Sequence, residues 1–211
     1  MKTQFATIIT TVALFVSTTT LTFANTKTEG GNLVSTEIKT AGKIDAVEAS
    51  GNVEVYLVNG DYDAVNVYSD YYGENAVVKN EQGVLHIASY AADKLVVFVT
   101  VSDLQSITAK DKAAVRTYGD ALSTKLLDIN IKDNATAQLK LDVVAANVTA
   151  NSKANVQLAG TIENYQLNYS PVASINVENL KWKAARTKEI EQAKPFRVNA
   201  MAFGVNAGLL N

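Results

Sequence analysis

The chain has 211 residues, 47% of them apolar and 19% charged, with a formal net charge of -2. That size and apolar content suit one domain with a full core, and with only two prolines they exclude disorder throughout. The charge balance argues against nucleic acid as a general partner, and the absence of Cys excludes disulfides and Cys-held metal.

Met1-Lys2 is followed by a mostly apolar stretch over residues 5–16, a Ser/Thr run and Thr22-Phe23-Ala24. A charged start, an apolar middle and a small residue at the end make a secretory signal peptide, here residues 1–24 with cleavage after Ala24. Threonines interrupt the stretch, which falls short of the ~20 residues of a membrane span, so no span is expected after its removal. Losing Lys2 leaves 18 Lys and Arg against 21 Asp and Glu. The chain reads as exported, to the periplasm, the outer cell surface or the medium.

Residues 25–43, with Gly30-Gly31, read as a flexible leader. Residues 44–58 alternate, with Val47, Ala49, Val53, Val55 and Leu57 on one face and Asn52, Glu54 and Tyr56 on the other, which is a strand pattern. Gly51-Asn52-Val53-Glu54 also resembles the units described below and reads as an early coil. Asn59-Gly60-Asp61 is a turn, 64–68 a strand, and 69–74 a loop bearing Tyr71 and Tyr72. Residues 77–87 read as a hairpin turning at 80–83, and the β-branched run 95–101 as a strand covered on both sides.

From Leu104 a repeat takes over. Ala113-Ala114-Val115-Arg116, Ala135-Thr136-Ala137-Gln138, Ala154-Asn155-Val156-Gln157 and Ala173-Ser174-Ile175-Asn176 start 22, 19 and 19 residues apart. Each unit follows a short strand and a turn: Asp111-Lys112, Asp133-Asn134, Ser152-Lys153 and Ser170-Pro171, the last unit carrying one extra residue after its turn. One unit has too few apolar side chains for a core, so the units must stack. Stacking at the ~4.8 Å strand spacing aligns Ile107, Ile129, Val148 and Leu167 in one interior file and Val115, Ala137, Val156 and Ile175 in another. The four leading alanines form a third. The expected fold class is all-β: a right-handed parallel β-helix (β-solenoid) over residues 44–183. An antiparallel sandwich explains the alternation but not the recurring turn chemistry. Leu180-Lys181-Trp182-Lys183 reads as closing the last coil, and 184–211 as a C-terminal cap or tail. Residues 184–193 have good helix formers, while 196–210 are apolar and suit a last strand or a docking segment. Lys181, Lys183, Arg186, Lys188, Lys194 and Arg197 cluster there. They read as a solvated face or as a contact for anionic polymer or lipid headgroups.

Val47-Glu48-Ala49-Ser50-Gly51-Asn52-Val53-Glu54-Val55 resembles the opening motif of the head GIN domain family. Residues 80–87, ending Gly83-Val84-Leu85-His86-Ile87, and 99–107 are similar to its next two landmarks, so the resemblance spans about 44–180. It implies a right-handed parallel β-helix, export and an adhesive or surface role, and it supplies no catalytic residues. Asp111-Lys112-Ala113 and Asp133-Asn134-Ala135 depart from the family's frequent Ser-Gly, and the basic C-terminal segment has no counterpart.

No catalytic, cofactor-binding or metal site can be drawn. His86, the only His, sits between Leu85 and Ile87 as an exposed strand residue. Asp111 and Asp133 stack at one turn, but a hard cation wants more oxygen ligands, and Ser152 and Ser170 stand at that place in the next units. Turn formation accounts for them. The outward files are more informative: Ala114, Thr136, Asn155 and Ser174, then Arg116, Gln138, Gln157 and Asn176. They make a flat face of amides and hydroxyls suited to sugar hydroxyls, with Tyr71, Tyr72 or Tyr118 able to stack on a ring. Tyr56, Tyr68 and Tyr169 read as packing. The leading function is a non-catalytic surface-binding or adhesion-like module whose partner is a glycan or an envelope or surface protein. A polysaccharide-active β-helix lyase or hydrolase is the alternative; it needs three convergent acidic or basic groups where two stacked Asp are found. A structural envelope protein without a specific ligand is the third reading. Mass analysis of the exported protein is expected to find Asn25 at its N-terminus; a chain that retains residues 1–24 contradicts this.

Overall fold

The structure, a computed structural model, describes residues 35–38, 42–68 and 76–190. The predicted signal peptide, Tyr71, Tyr72 and the segment from 191 onward lie outside the described residues. Thirteen strands and no helix occur among them. In chain order they are β1 (Ser35–Ile38), β2 (Ala46–Gly51), β3 (Val53–Asn59), β4 (Ala64–Tyr68), β5 (Ala76–Glu81), β6 (Val84–Ser89), β7 (Leu95–Val101), β8 (Ser106–Lys110), β9 (Ala114–Thr117), β10 (Leu122–Ile131), β11 (Thr136–Ala150), β12 (Asn155–Tyr169) and β13 (Ser174–Glu189).

The repeat spacing reappears as strand register. β10 pairs with β11, and β11 with β12, parallel and at an offset of 19 residues throughout, from Leu122↔Leu141 to Ala150↔Tyr169. β8 with β10 and β9 with β11 are offset by 22. β12 with β13 starts at 19 and moves to 20 across a bulge at Gln157/Ala159. Each unit is thus a rung laid in register on the one before it.

The turns explain how a rung closes. Ala113, Ala135, Ala154 and Ala173 each donate their N–H to a carbonyl three residues back, on Lys110, Lys132, Asn151 and Ser170. The residue after each of the first three acceptors is left-handed: Asp111 (φ 62°), Asp133 (φ 58°) and Ser152 (φ 57°). Asp tolerates that region better than most side chains. The matching residue in the fourth turn is Pro171, whose ring excludes positive φ. Ser170-Pro171 therefore corresponds to Asn151-Ser152, one residue away from the alignment the sequence suggests. The extra residue belongs to the bulge, not to the turn.

The N-terminal half departs from the expected all-parallel helix. The sheet is mixed: β1–β4, β4–β7 and β5–β6 are antiparallel. β5 and β6 are joined by Gln82 (φ 52°) and Gly83 (φ 87°), a two-residue turn far too short for a parallel crossover. β2 pairs with both β6 and β8, and β3 with both β7 and β9. The first rung in sequence is therefore sandwiched between two later ones. β4 follows β3 by a short loop but finds both its edges taken and lies on β7 instead. Ser35–Ile38, read as leader, is a strand on β4, and residues 184–189, rich in helix formers, complete β13, whose pairing with β12 runs to Tyr169↔Glu189.

Between β2 and β3 the chain turns at Gly51 (φ 79°), where an added Cβ would lie 2.1 Å from Ser89 O. Asn52 then donates its side-chain amide to Ala91 O and Ala92 O, pinning the neighbouring loop. At a different corner, before β2 and after β7, Asp63 accepts from Ile44 N–H at 2.6 Å and from both Ser102 N–H and Oγ–H.

The core consists of aligned files. Leu85, Val47, Ile107, Ile129, Val148 and Leu167 are successive register partners, all 6% exposed or less. Val97, Val55, Val115, Ala137 and Val156 form the second file, fully buried, and half-buried Ile175 ends it. Ala113, Ala135 and Ala154 are fully buried at the corner. Ala154→Asp puts an unpaired carboxylate there, at a cost of several kcal/mol, a large share of a typical domain's ~5–15 kcal/mol. The variant is expected to be unfolded or to melt far below wild type by circular dichroism; equal melting curves would show the inward register to be wrong.

Candidate functional site

One outer wall carries the sequence-predicted residues and more. One file runs Asn66, Phe98, Tyr56, Arg116, Gln138, Gln157, Asn176 across β4, β7, β3, β9, β11, β12 and β13. Beside it run Tyr68, Val96, Glu54, Ala114, Thr136, Asn155 and Ser174. The predicted outward residues thus share one face in the predicted order. Gln157, Asn155, Ser174 and Asn176 are exposed, while Thr136, Arg116 and Gln138 are half-buried. Asn176 turns its amide oxygen back to accept from Glu178 N–H at the bulge, so it offers less to a ligand than Gln157.

At one end of the wall the aromatic rings meet. Tyr56 stacks on Phe98 with centroids 4.7 Å apart and planes 18° from parallel. Tyr118 stands edge-on to Tyr56 and to Phe98, and Tyr68 edge-on to Phe98 at 5.3 Å. Tyr118 is 57% exposed, so part of the residue stays open to solvent. Tyr118 was legible in the sequence; Tyr56, Tyr68 and Phe98 were not. Tyr56 and Tyr68 point outward and belong to this cluster instead of the core, whereas Tyr169 packs partly against it. Phe98 also corrects the reading of 95–101 as covered on both sides: β7 buries Leu95, Val97, Val99 and Val101 and turns Val96, Phe98 and Thr100 to the half-buried outer face. Period-two alternation places these rings outward, but that β3 and β7 are neighbours could not be read from residues so far apart in sequence.

Polar groups tie the rings to the amide row. Glu54 Oε1 accepts from Arg116 Nε at 2.8 Å and from the Tyr56 hydroxyl at 3.1 Å, and Lys94 Nζ lies 3.3 Å from Glu54 Oε2. Arg116 Nη1 donates to Gln138 Oε1. Burial pushes the Glu54 carboxyl up, but the hydrogen bonds from Lys94 and Arg116 outweigh it and hold the group below its ordinary value. Tyr56 is raised, by burial first and then by its bond to Glu54.

The remaining candidates lie elsewhere. His86 is half-buried, not exposed as expected, with Nδ1 3.2 Å from Glu48 Oε2 on a different wall. Asp111 accepts from the Tyr90 hydroxyl at 3.1 Å, and the turn position it shares with Asp133 and Ser152 passes to Pro171, not Ser170. Among the described residues no three acidic or His side chains are grouped to hold a metal, and no helix is long and apolar enough to cross a membrane.

The chain matches the family model described as "Putative auto-transporter adhesin, head GIN domain" over residues 43–189. It belongs to the head GIN domain family. The head GIN fold is shared with a crystal structure of a "putative adhesin" from Bacteroides fragilis, 19% identical, with a TM-score of 0.67 over 76% of this chain and 77% of that one. A second "putative adhesin", from Parabacteroides merdae, is 16% identical with a TM-score of 0.61 over 79% of this chain and 81% of that one. A "putative lipid binding protein" from Parabacteroides distasonis is 11% identical with a TM-score of 0.50 over 75% and 79%. No curated protein gives a significant match.

Because the Glu54 carboxyl is lowered, its stabilising effect is complete above the ordinary value of 4.5 and is lost as the pH falls through the lower folded value. Glu54→Gln is expected to lower the Tm at pH 7, with the difference from wild type closing as the medium is acidified below 4.5. A gap that stays constant with pH would show that the charge is not what holds Arg116 and Lys94.

Proposed function

We propose that this head GIN protein is an exported, non-catalytic binding module that meets its ligand through the Tyr118–Gln138–Gln157 wall. The observation that carries the reading is the exposed Tyr118 ring, braced by Tyr56 and Phe98, at the end of an in-register row of amides and hydroxyls. A sugar has an apolar face that stacks on an aromatic ring and hydroxyls that pair with amides, so a glycan is the ligand this arrangement suits best. Family membership and fold likeness to proteins titled adhesins support an attaching role. On the same reading the rungs wind right-handed, as parallel crossovers do, and the signal peptide, residues 1–24, is removed on export.

A glycan array probed with the chain lacking residues 1–24 tests this. Tyr118→Ala and Gln138→Ala are each expected to weaken the best sugar by about tenfold, the size of one lost stacking or polar contact of ~1.4 kcal/mol. Sugar binding that survives both substitutions unchanged overturns the assignment of this wall. Capture of an envelope protein with no sugar bound would replace the glycan by that protein.

A further inference from the structure

The last described strand, β13, forms an end of the sheet unlike any other part of the molecule. β12 is its only described partner, so its outer edge is unpaired by any described strand. The interior files surface here. Val156 and Ile162 are fully buried in β12, yet their register partners are half-buried Ile175 and Trp182, the latter 46% exposed with its ring tilted over Tyr165. Val172, in the turn before β13, is 54% exposed. Around this apolar end stand Lys181, Lys183, Arg186 and Lys188, all exposed, with no acid between Glu178 and Glu189. Lys183 pairs with Glu163 on β12. Four cations in eight residues of a chain with net charge -2 make a strong local asymmetry.

We propose that this β13 end docks on an anionic lipid surface. Each half of the feature narrows the choice. A soluble polyanion satisfies the four cations but leaves Trp182, Val172 and Ile175 in water. A second copy of β13 added edge to edge brings a like row of cations beside the first. A lipid interface satisfies both: Lys and Arg reach headgroup phosphates while their stems and the indole lie at the boundary between headgroup and chain. The docking face is the end of the stack, and the ring cluster of the proposed ligand wall lies at the opposite end of that wall, on β4, β7 and β3. The proposal is independent of what that wall binds.

Trp182 is the only Trp in the chain and reports on its own environment. With the chain lacking residues 1–24 and phosphatidylglycerol vesicles, its emission is expected to move to shorter wavelength and the protein to sediment with the vesicles. Phosphatidylcholine vesicles are expected to give neither, and added salt to reverse both. Replacing Lys181, Lys183, Arg186 and Lys188 together by Gln, with the melting curve as a check on folding, is expected to weaken vesicle binding at least tenfold. No shift and no sedimentation with phosphatidylglycerol overturns the proposal. So does an equal shift with a soluble anionic polysaccharide, which would make the end a polymer site. A dimer in solution, or a Trp182 already closed to a collisional quencher in the free chain, would show that another copy or the chain's own remaining residues cover it.

Discussion

Thr136 N–H donates to Ala113 O, Asn155 N–H to Ala135 O and Ser174 N–H to Ala154 O, each bond repeating the last one rung further on. This ladder constrains everything else. Side chains alternate between the faces of a strand, so a slip of one residue in any rung would carry its Val and Ile outward and its Asn and Gln inward. With Cys absent, the register is held by backbone pairing, close-packed files and the turns that set where each rung starts. The buried alanines fit that role: at the tight corner beside each turn a larger side chain would push neighbouring rungs apart.

The same register builds the outer wall proposed to meet the ligand. Asn155 and Gln157 face out because Ala154 and Val156 face in, so the backbone positions of the polar row are set by the core beneath it. The ring cluster gathers side chains from β4, β7 and β3 and from just beyond β9; Glu54 ties it to Arg116 and Lys94, and Arg116 in turn to Gln138. A surface ordered before its ligand arrives loses little entropy on binding.

Legibility in the sequence followed distance along the chain. Ile129, Val148 and Leu167 could be aligned by eye because neighbouring rungs are 19 residues apart and share their turns. Val47 and Leu85 belong to the same file, but nothing local says that 46–51 lies between 84–89 and 106–110. The antiparallel strands escaped for the same reason, since β4 pairs with a strand that follows thirty residues later. Residues 184–189 leave helix or strand open in the sequence, because Ala, Arg and Lys favour a helix in isolation while the open edge of β12 offers a full set of backbone partners. On the wall, Thr136, Asn155, Gln138 and Gln157 followed from the repeat. Tyr56 and Phe98 did not, because their meeting depends on the long-range pairing of β3 with β7.

The placement of β2 and β3 bears on the order in which the chain can fold. Their two flanks are supplied by β6 and β7 on one side and β8 and β9 on the other, all synthesised later. On the proposed export route, β2 and β3 therefore cannot become native as they emerge; they must wait until about residue 117 has followed. The pairings of β10 to β13, 19 or 20 residues apart, do not wait on the distant loop closures that β2 and β3 need. A polypeptide that stays unstructured until most of its length is across is well matched to passage in extended form.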